Sequence, residues 1–411
     1  MSISLGARGR AAAVITSVGL ILALAGCGGG PEEASSTEGA QLTMYAHSSS
    51  PAEDQTLQKI IDSYNKQGRN KVSLKILPEY DTALQTALAG GDPPDVFYVN
   101  DNKLPDLAKN GVLEPIGDKV DNPDDFYPSL RESFTYQGVN YCPPKDFSTL
   151  QLVYNVAELE KAGVQPPTTW DELADAAKKL TKGKRAGISF GAEFYRWGVF
   201  MAQAGAWPTN AEITQMTMED PKLRTALDYV AKLHADGSAA TPAALGVGWG
   251  GEALGKGKAA MTIEGNWIVG AMSTDFPDVK YAVAELPAGP AGKATMSFSV
   301  CYGVAAAGRH KAAAIDLVTY LTSPEQQLLF TKDFPVMPSR ASLADKWLAE
   351  KKELQAFVTG ASYAKKSVFV PGFKTVIDTL TEGIEGLAKG NKKVDEVIST
   401  TQQAGQDVLG G

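Results

Sequence analysis

The chain has 411 residues, 44% of them apolar and 21% charged. That is long enough for two domains of ordinary size and too rich in apolar residues for wholesale disorder. Its 39 Lys+Arg against 47 Asp+Glu give a formal net charge of −8; with no run of five basic residues, a nucleic-acid partner is not expected. Three cysteines and three histidines leave little material for a zinc or iron–sulfur site, and no metal or other cofactor is expected.

The N-terminal segment reads as an address. Arg8 and Arg10 precede an apolar stretch from Ala11 to Ala25, too short for the ~20 residues of a spanning helix and laid out like a secretory signal. The tetrad Leu24-Ala25-Gly26-Cys27 resembles a bacterial lipobox, which makes Cys27 the expected lipidation site and residues 1–26 the signal peptide. Two acyl chains on one cysteine suffice for stable anchoring where one does not. Removing residues 1–26 takes two arginines and no acids, leaving 37 bases against 47 acids and a net charge of −10. Residues 27–40, rich in Gly, Ser and Glu, read as a flexible tether. The expected location is the cell membrane, lipid-anchored on the extracytoplasmic face.

Elements then alternate. Leu42 to His47 reads as a strand, and Pro51 suits a first helical position. Leu57, Ile60, Ile61 and Tyr64 share one helical face, while Val72, Leu74 and Ile76 alternate as a second strand. A helix from about Asp81 stops at Gly90-Gly91, and Val96 to Val99 forms a short buried strand. This β-α-β-α-β order predicts a mostly parallel sheet whose strand ends, carrying Ser48, Ser49, Asn100, Asp101 and Asn102, face the ligand. An extended stretch from Gly138 to Asn155 leads elsewhere, Thr169 and Glu172 form a capping box, and Ser297 to Ala306 is extended again. Lys311 to Leu321 is a further helix. Cys142 and Cys301, 159 residues apart, read as two buried thiols, with a bridge left open.

Several segments together resemble the extracellular solute-binding proteins of ABC sugar importers, the maltose-binding-like group (family 1). They are Gly91-Asp92-Pro93-Pro94-Asp95-Val96, the stretch ending Leu152-Val153-Tyr154-Asn155, and Pro166-Pro167-Thr168-Thr169-Trp170-Asp171-Glu172-Leu173. Gly257-Lys258-Ala259-Ala260-Met261 continuing to Gly265-Asn266-Trp267, Leu286 to Gly292, and Leu321-Thr322-Ser323-Pro324-Glu325 complete the set. The resemblance covers about residues 41 to 400. It implies an α/β fold of two discontinuous lobes joined by a multi-strand hinge, of the periplasmic-binding-protein type II kind. Lobe 1 is placed at 41–147 and 303–338, lobe 2 at 148–302 and 339–411. It also implies a carbohydrate ligand, delivery to the transmembrane subunits of an ABC permease, and no chemistry on the ligand. A monomer is expected.

A sugar's hydroxyls call for carboxylate, amide and hydroxyl partners, and its C–H faces for flat aromatic rings. Four of the six tryptophans, Trp197, Trp207, Trp249 and Trp267, lie within 71 residues. The resemblance places the Trp267 ring on the ligand and makes the stretch from Lys145 to Thr149, with Asp146 and Ser148, part of the pocket wall. Further candidates are Asp101, Asn100 and Ser49 at strand ends, the block Glu193, Tyr195 and Trp197, then Trp249, Tyr302, Arg340 and Phe373. Trp170 and Trp347 read as packing residues, His47 as a loop donor, and His234 and His310 as solvated helix-end residues.

Two other readings stay open. One is the same fold holding a glycerophosphodiester or a peptide, with Arg340 the one placeable cation for a phosphate. The other is a secreted serine hydrolase, since Gly187-Ile188-Ser189-Phe190-Gly191 matches G-x-S-x-G. Gly246 to Gly257 brushes two nucleotide-binding patterns but reads better as a glycine-rich loop over the cleft.

Overall fold

The computed structural model describes residues 38–48, 51–367 and 370–410. Cys27, Ser49, the signal stretch and most of the tether lie outside them. Two sheets organise the described chain. The first has five strands in the order Lys71–Ile76, Gln41–Ala46, Val96–Asn100, Val300–Ala305, Leu113–Glu114. Its first three strands are parallel, as the alternation predicts, and Val300–Ala305 runs antiparallel against Val96–Asn100. The helix Pro51–Lys66 starts on its proline and buries Leu57, Ile60, Ile61 and Tyr64. Glu53 is buried in the same helix's first turn, an unusual place for an acid.

The second sheet has seven strands, centred on Ser148–Asn155 paired antiparallel with Ala259–Gly265. Ala186–Ser189 lies parallel beside Ala259–Gly265, and Thr295–Phe298 antiparallel beside Ser148–Asn155. Each sheet has its own hydrophobic core. A third cluster, with Leu130, Phe147, Met337, Trp347 and Phe357, includes residues of the segments that join the two. The molecule is thus a two-lobed α/β protein. The capping box forms, with Thr169 Oγ1 accepting the N–H of Glu172 at 3.2 Å, although the Glu172 carboxylate returns to the N–H of Thr168.

Three chain segments cross between the lobes side by side. Lys145 donates its N–H to the carbonyl of Val300 at 2.7 Å, and Phe147 and Met337 exchange backbone bonds at 2.8 and 2.9 Å. Asn266 braces the hinge by donating to the carbonyls of Phe147 and Pro335.

The structure corrects several expectations. Residues 300–302, placed in lobe 2, begin a strand of the first sheet. Ala40, placed in the tether, is buried, and Gly39 bonds the Arg69 carbonyl. Cys142 and Cys301 form a disulfide, because the crossing puts Pro144 opposite Cys301. Gly250–Gly255 is a helix packed on the second sheet rather than a loop over the cleft.

Candidate functional site

Beside the hinge lies a cavity of about 290 Å³ with walls from both lobes. Asn100, Asp101 and Asn102 come from the carboxyl end of the Val96–Asn100 strand, where ligands of parallel sheets sit. Lys145, Asp146 and Ser148 come from the first crossing, and Ser299, Val300 and Val336 from the others. Tyr195, Trp267, Phe298 and Phe334 supply the rings.

The aromatic part is ordered by contact between rings. Phe298 packs on Tyr195 with centroids 5.4 Å apart and meets Trp267 edge-on at 5.5 Å. Trp267 donates Nε1–H to Glu264 Oε2 at 3.1 Å. Its ring lies over Gly265, where a Cβ would come within 2.2 Å of the indole, so the glycine of the Gly265-Asn266-Trp267 segment is what lets the indole settle. Tyr195 sits at the start of the helix Phe194–Gln203, whose first turn is capped by the Glu193 carboxylate.

The polar part centres on a buried ion triad. Lys145 Nζ lies 2.7 Å from Glu53 Oε1 and 2.5 Å from Asp146 Oδ2, with the ammonium side chain 2% exposed. The rings of Tyr98, Phe330 and Phe334 surround the ammonium at 4.6 to 5.6 Å. Burial works against the charge, but Asp146 and Glu53 outweigh it and hold the Lys145 ammonium above its usual range. Asp146 therefore reaches the cavity with one oxygen tied to a fixed cation. Burial pushes the Asp101 carboxyl up to about 7, against the opposing N–H of Asn102 at 2.8 Å. Asn102 Oδ1 is buried without a hydrogen-bond partner among the described residues, an acceptor left for something else.

Of the sequence candidates, the cavity thus gathers Asn100, Asp101, Asp146, Ser148, Tyr195 and Trp267. Others belong elsewhere. Trp197 is 1% exposed in the second lobe's core, stacked on His234 at 5.7 Å, and His234, read as solvated, has its pKa lowered to about 4 by burial. Tyr302 is buried in the first lobe's core against Tyr98, and Phe373 in the second's. Arg340 donates to the carbonyls of Thr322, Asn122 and Asp121 at 2.7 to 2.9 Å and lies over the Phe126 ring, so it staples the crossing and is not available to a phosphate. Glu193 and Trp249 line a separate cavity in the second lobe. Ser189 is fully buried at the end of a strand, five residues before the next helix begins, not on an exposed strand-to-helix elbow.

Sequence reasoning missed Phe298, Phe334, Ser299 and Glu53. Phe298 and Phe334 look like ordinary core aromatics in sequence. Glu53 pairs with a lysine 92 residues away, for which no local signal exists.

This fold and cleft define a class of binding protein, and comparison agrees. The chain belongs to the bacterial extracellular solute-binding proteins, whose family model matches residues 59–356. A binding protein of Brucella abortus (strain 2308) is 24% identical over 355 residues, 82% of this chain and 85% of that one. The substrate-binding protein Lmo0181 of Listeria monocytogenes, solved with cycloalternan, superposes with a TM-score of 0.82 at 24% identity, covering 90% of this chain and 99% of that one. The GacH receptor of Streptomyces glaucescens, solved unliganded and with acarbose, gives 0.81 at 24% identity over 90% and 98%.

Proposed function

We propose that this protein captures an extracellular carbohydrate, an oligosaccharide, by closure of its two lobes at the three-segment hinge, and delivers it to an ABC permease. The observation that carries the reading is the pairing, in one interlobe cavity, of the Trp267–Phe298–Tyr195 rings with Asp101, Asn102 and Asp146. Rings cover the C–H faces of a pyranose, and carboxylates and amides accept its hydroxyls, charge-assisted bonds being roughly twice as strong as neutral ones. Cycloalternan and acarbose, the ligands of the two structural relatives, are of this chemical kind. A phosphodiester suits the cavity poorly: the cavity carries two carboxylates, and Lys145, its one cation among the described residues, is already held by two acids. Lipidation of Cys27 would hold the protein at the extracytoplasmic face of the cell membrane. Cys27→Ser is expected to release it from the membrane fraction.

A thermal-shift screen against sugars, glycerophosphodiesters and peptides tests the ligand class. A ligand at 100 times its Kd adds ~2.7 kcal/mol of stability. The reading predicts a shift with saccharides; a shift confined to peptides or phosphodiesters would overturn it.

A further inference from the structure

The helix Pro324–Asp333 has two unlike faces. Gln326, Gln327, Phe330 and Thr331 form its buried side, and the Phe330 ring meets the Lys145 ammonium at 4.6 Å. Its other side carries leucines where an amphipathic helix places polar residues. Leu328 is half-buried, and Leu329 is 39% exposed, one of two large apolar side chains that open to solvent among the described residues. Both line a groove of about 290 Å³. Lys332 of the same helix supplies part of its wall; Lys346, Trp347, Glu350 and Lys351, from the chain that follows the third crossing segment, supply the rest.

Positive charge and apolar surface meet in this groove. Lys332, Lys346 and Lys351 form no ion pair among the described residues, although acids outnumber bases in the chain, 47 to 39. Glu350 is the one acid on the wall. The three lysines come from two chain segments, an arrangement that suits a ligand with more than one negative group. Trp347 is 3% exposed with Lys351 Nζ 5.6 Å over its ring, so it offers no open face to a sugar. Its Nε1–H is buried with no acceptor among the described residues, a demand that a carboxylate or carbonyl entering beside Lys351 can meet.

We propose that this groove docks an acidic segment of a partner protein, with carboxylates on Lys332, Lys346 and Lys351 and an apolar side chain on Leu328 and Leu329. Charge complementarity selects the occupant: an acidic chain repels such a segment in general, and these unpaired lysines attract it locally. An anionic membrane shares the charge but not the shape, because a recessed groove admits side chains and a flat lipid surface does not fill it. The groove shares no lining residue with the interlobe cavity, so the proposal does not depend on what that cavity holds.

The test is fluorescence anisotropy with a labelled twelve-residue peptide, Glu-Glu-Leu repeated four times. Saturable binding is expected, weakening as salt rises, and the Glu-Glu-Ser counterpart should bind at least tenfold more weakly. The double variant Lys332→Glu, Lys346→Glu, changed at two exposed positions, is expected to bind the first peptide at least tenfold more weakly with an unchanged melting temperature. Leu329→Ser should weaken it at least threefold, and it decides the matter if the double variant folds poorly. No binding by the wild type, or undiminished binding by a folded variant, would overturn the docking site. Binding to phosphatidylglycerol vesicles without binding to the peptide would also overturn it and assign the lysines to a membrane surface.

Discussion

Trp197 and Trp267 lie on the same lobe, 70 residues apart, and do opposite work. Trp197 is packed among Phe190, Phe194 and Phe200, stacked on a histidine that burial keeps neutral. Trp267 is half-buried, has its N–H fixed by Glu264 and turns its ring to a cavity with polar groups on the facing lobe. The difference is not in the indole but in what surrounds it. A ring with apolar neighbours on every side belongs to folding, and one with a single open face beside placed acceptors belongs to binding. The buried cations repeat the lesson: Arg340 is saturated by carbonyls, whereas Lys145 holds a carboxylate that lines the cavity.

The largest effects should come from the folding members of these pairs. Trp197→Ala is expected to cost about 3–5 kcal/mol, as large-to-small changes in tight cores do, measured as a lower denaturation midpoint. Arg340→Met should also destabilise, because the buried Thr322 carbonyl loses its donor and the Phe126 ring its cation, while Asp125 keeps the two donors of Ser342. A stable Arg340→Met protein with lost ligand affinity would reverse the assignment of that residue. The binding members should show the converse, with modest stability changes and losses of at least tenfold in affinity, about 1.4 kcal/mol.

Two smaller effects carry opposite signs with pH. Asp101, raised to about 7 in the folded state from an ordinary value of 3.8, binds more protons folded than unfolded between those limits. Its contribution to stability therefore falls as pH rises from about 4 to 7. Asp101→Asn should raise the melting temperature more at pH 8 than at pH 4; an equal change at both would contradict the buried carboxyl. His234, lowered to about 4 from 6.5, binds fewer protons folded than unfolded, so its contribution is lost as pH falls from 6.5 towards 4. A His234→Gln variant should lose less stability than the wild type across that window.

Much of the first lobe is legible because its signals are local: Pro51 starts a helix, Gly90 and Gly91 end one, and Val96 to Val99 is a run too short and too apolar for anything but a buried strand. The site is legible where strand ends or family-like segments mark it, as at Asp101, Asp146 and Trp267. What stays hidden depends on contacts between distant segments. The Cys142–Cys301 bond needs two crossing strands to lie side by side, and the Glu53–Lys145 pair needs a helix start to meet the hinge. Phe298 gains its role only from the rings at 195 and 267. Arg340 misleads for the same reason, since backbone carbonyls leave no trace in a sequence.

The central claim is that a saccharide binds between the lobes on the face of Trp267. Titrating the saccharide with the largest thermal shift into wild type and Trp267→Ala tests it most directly. The account predicts a Kd at least tenfold weaker in a variant that melts cooperatively; an unchanged Kd would place the ligand elsewhere and return Trp267 to the core.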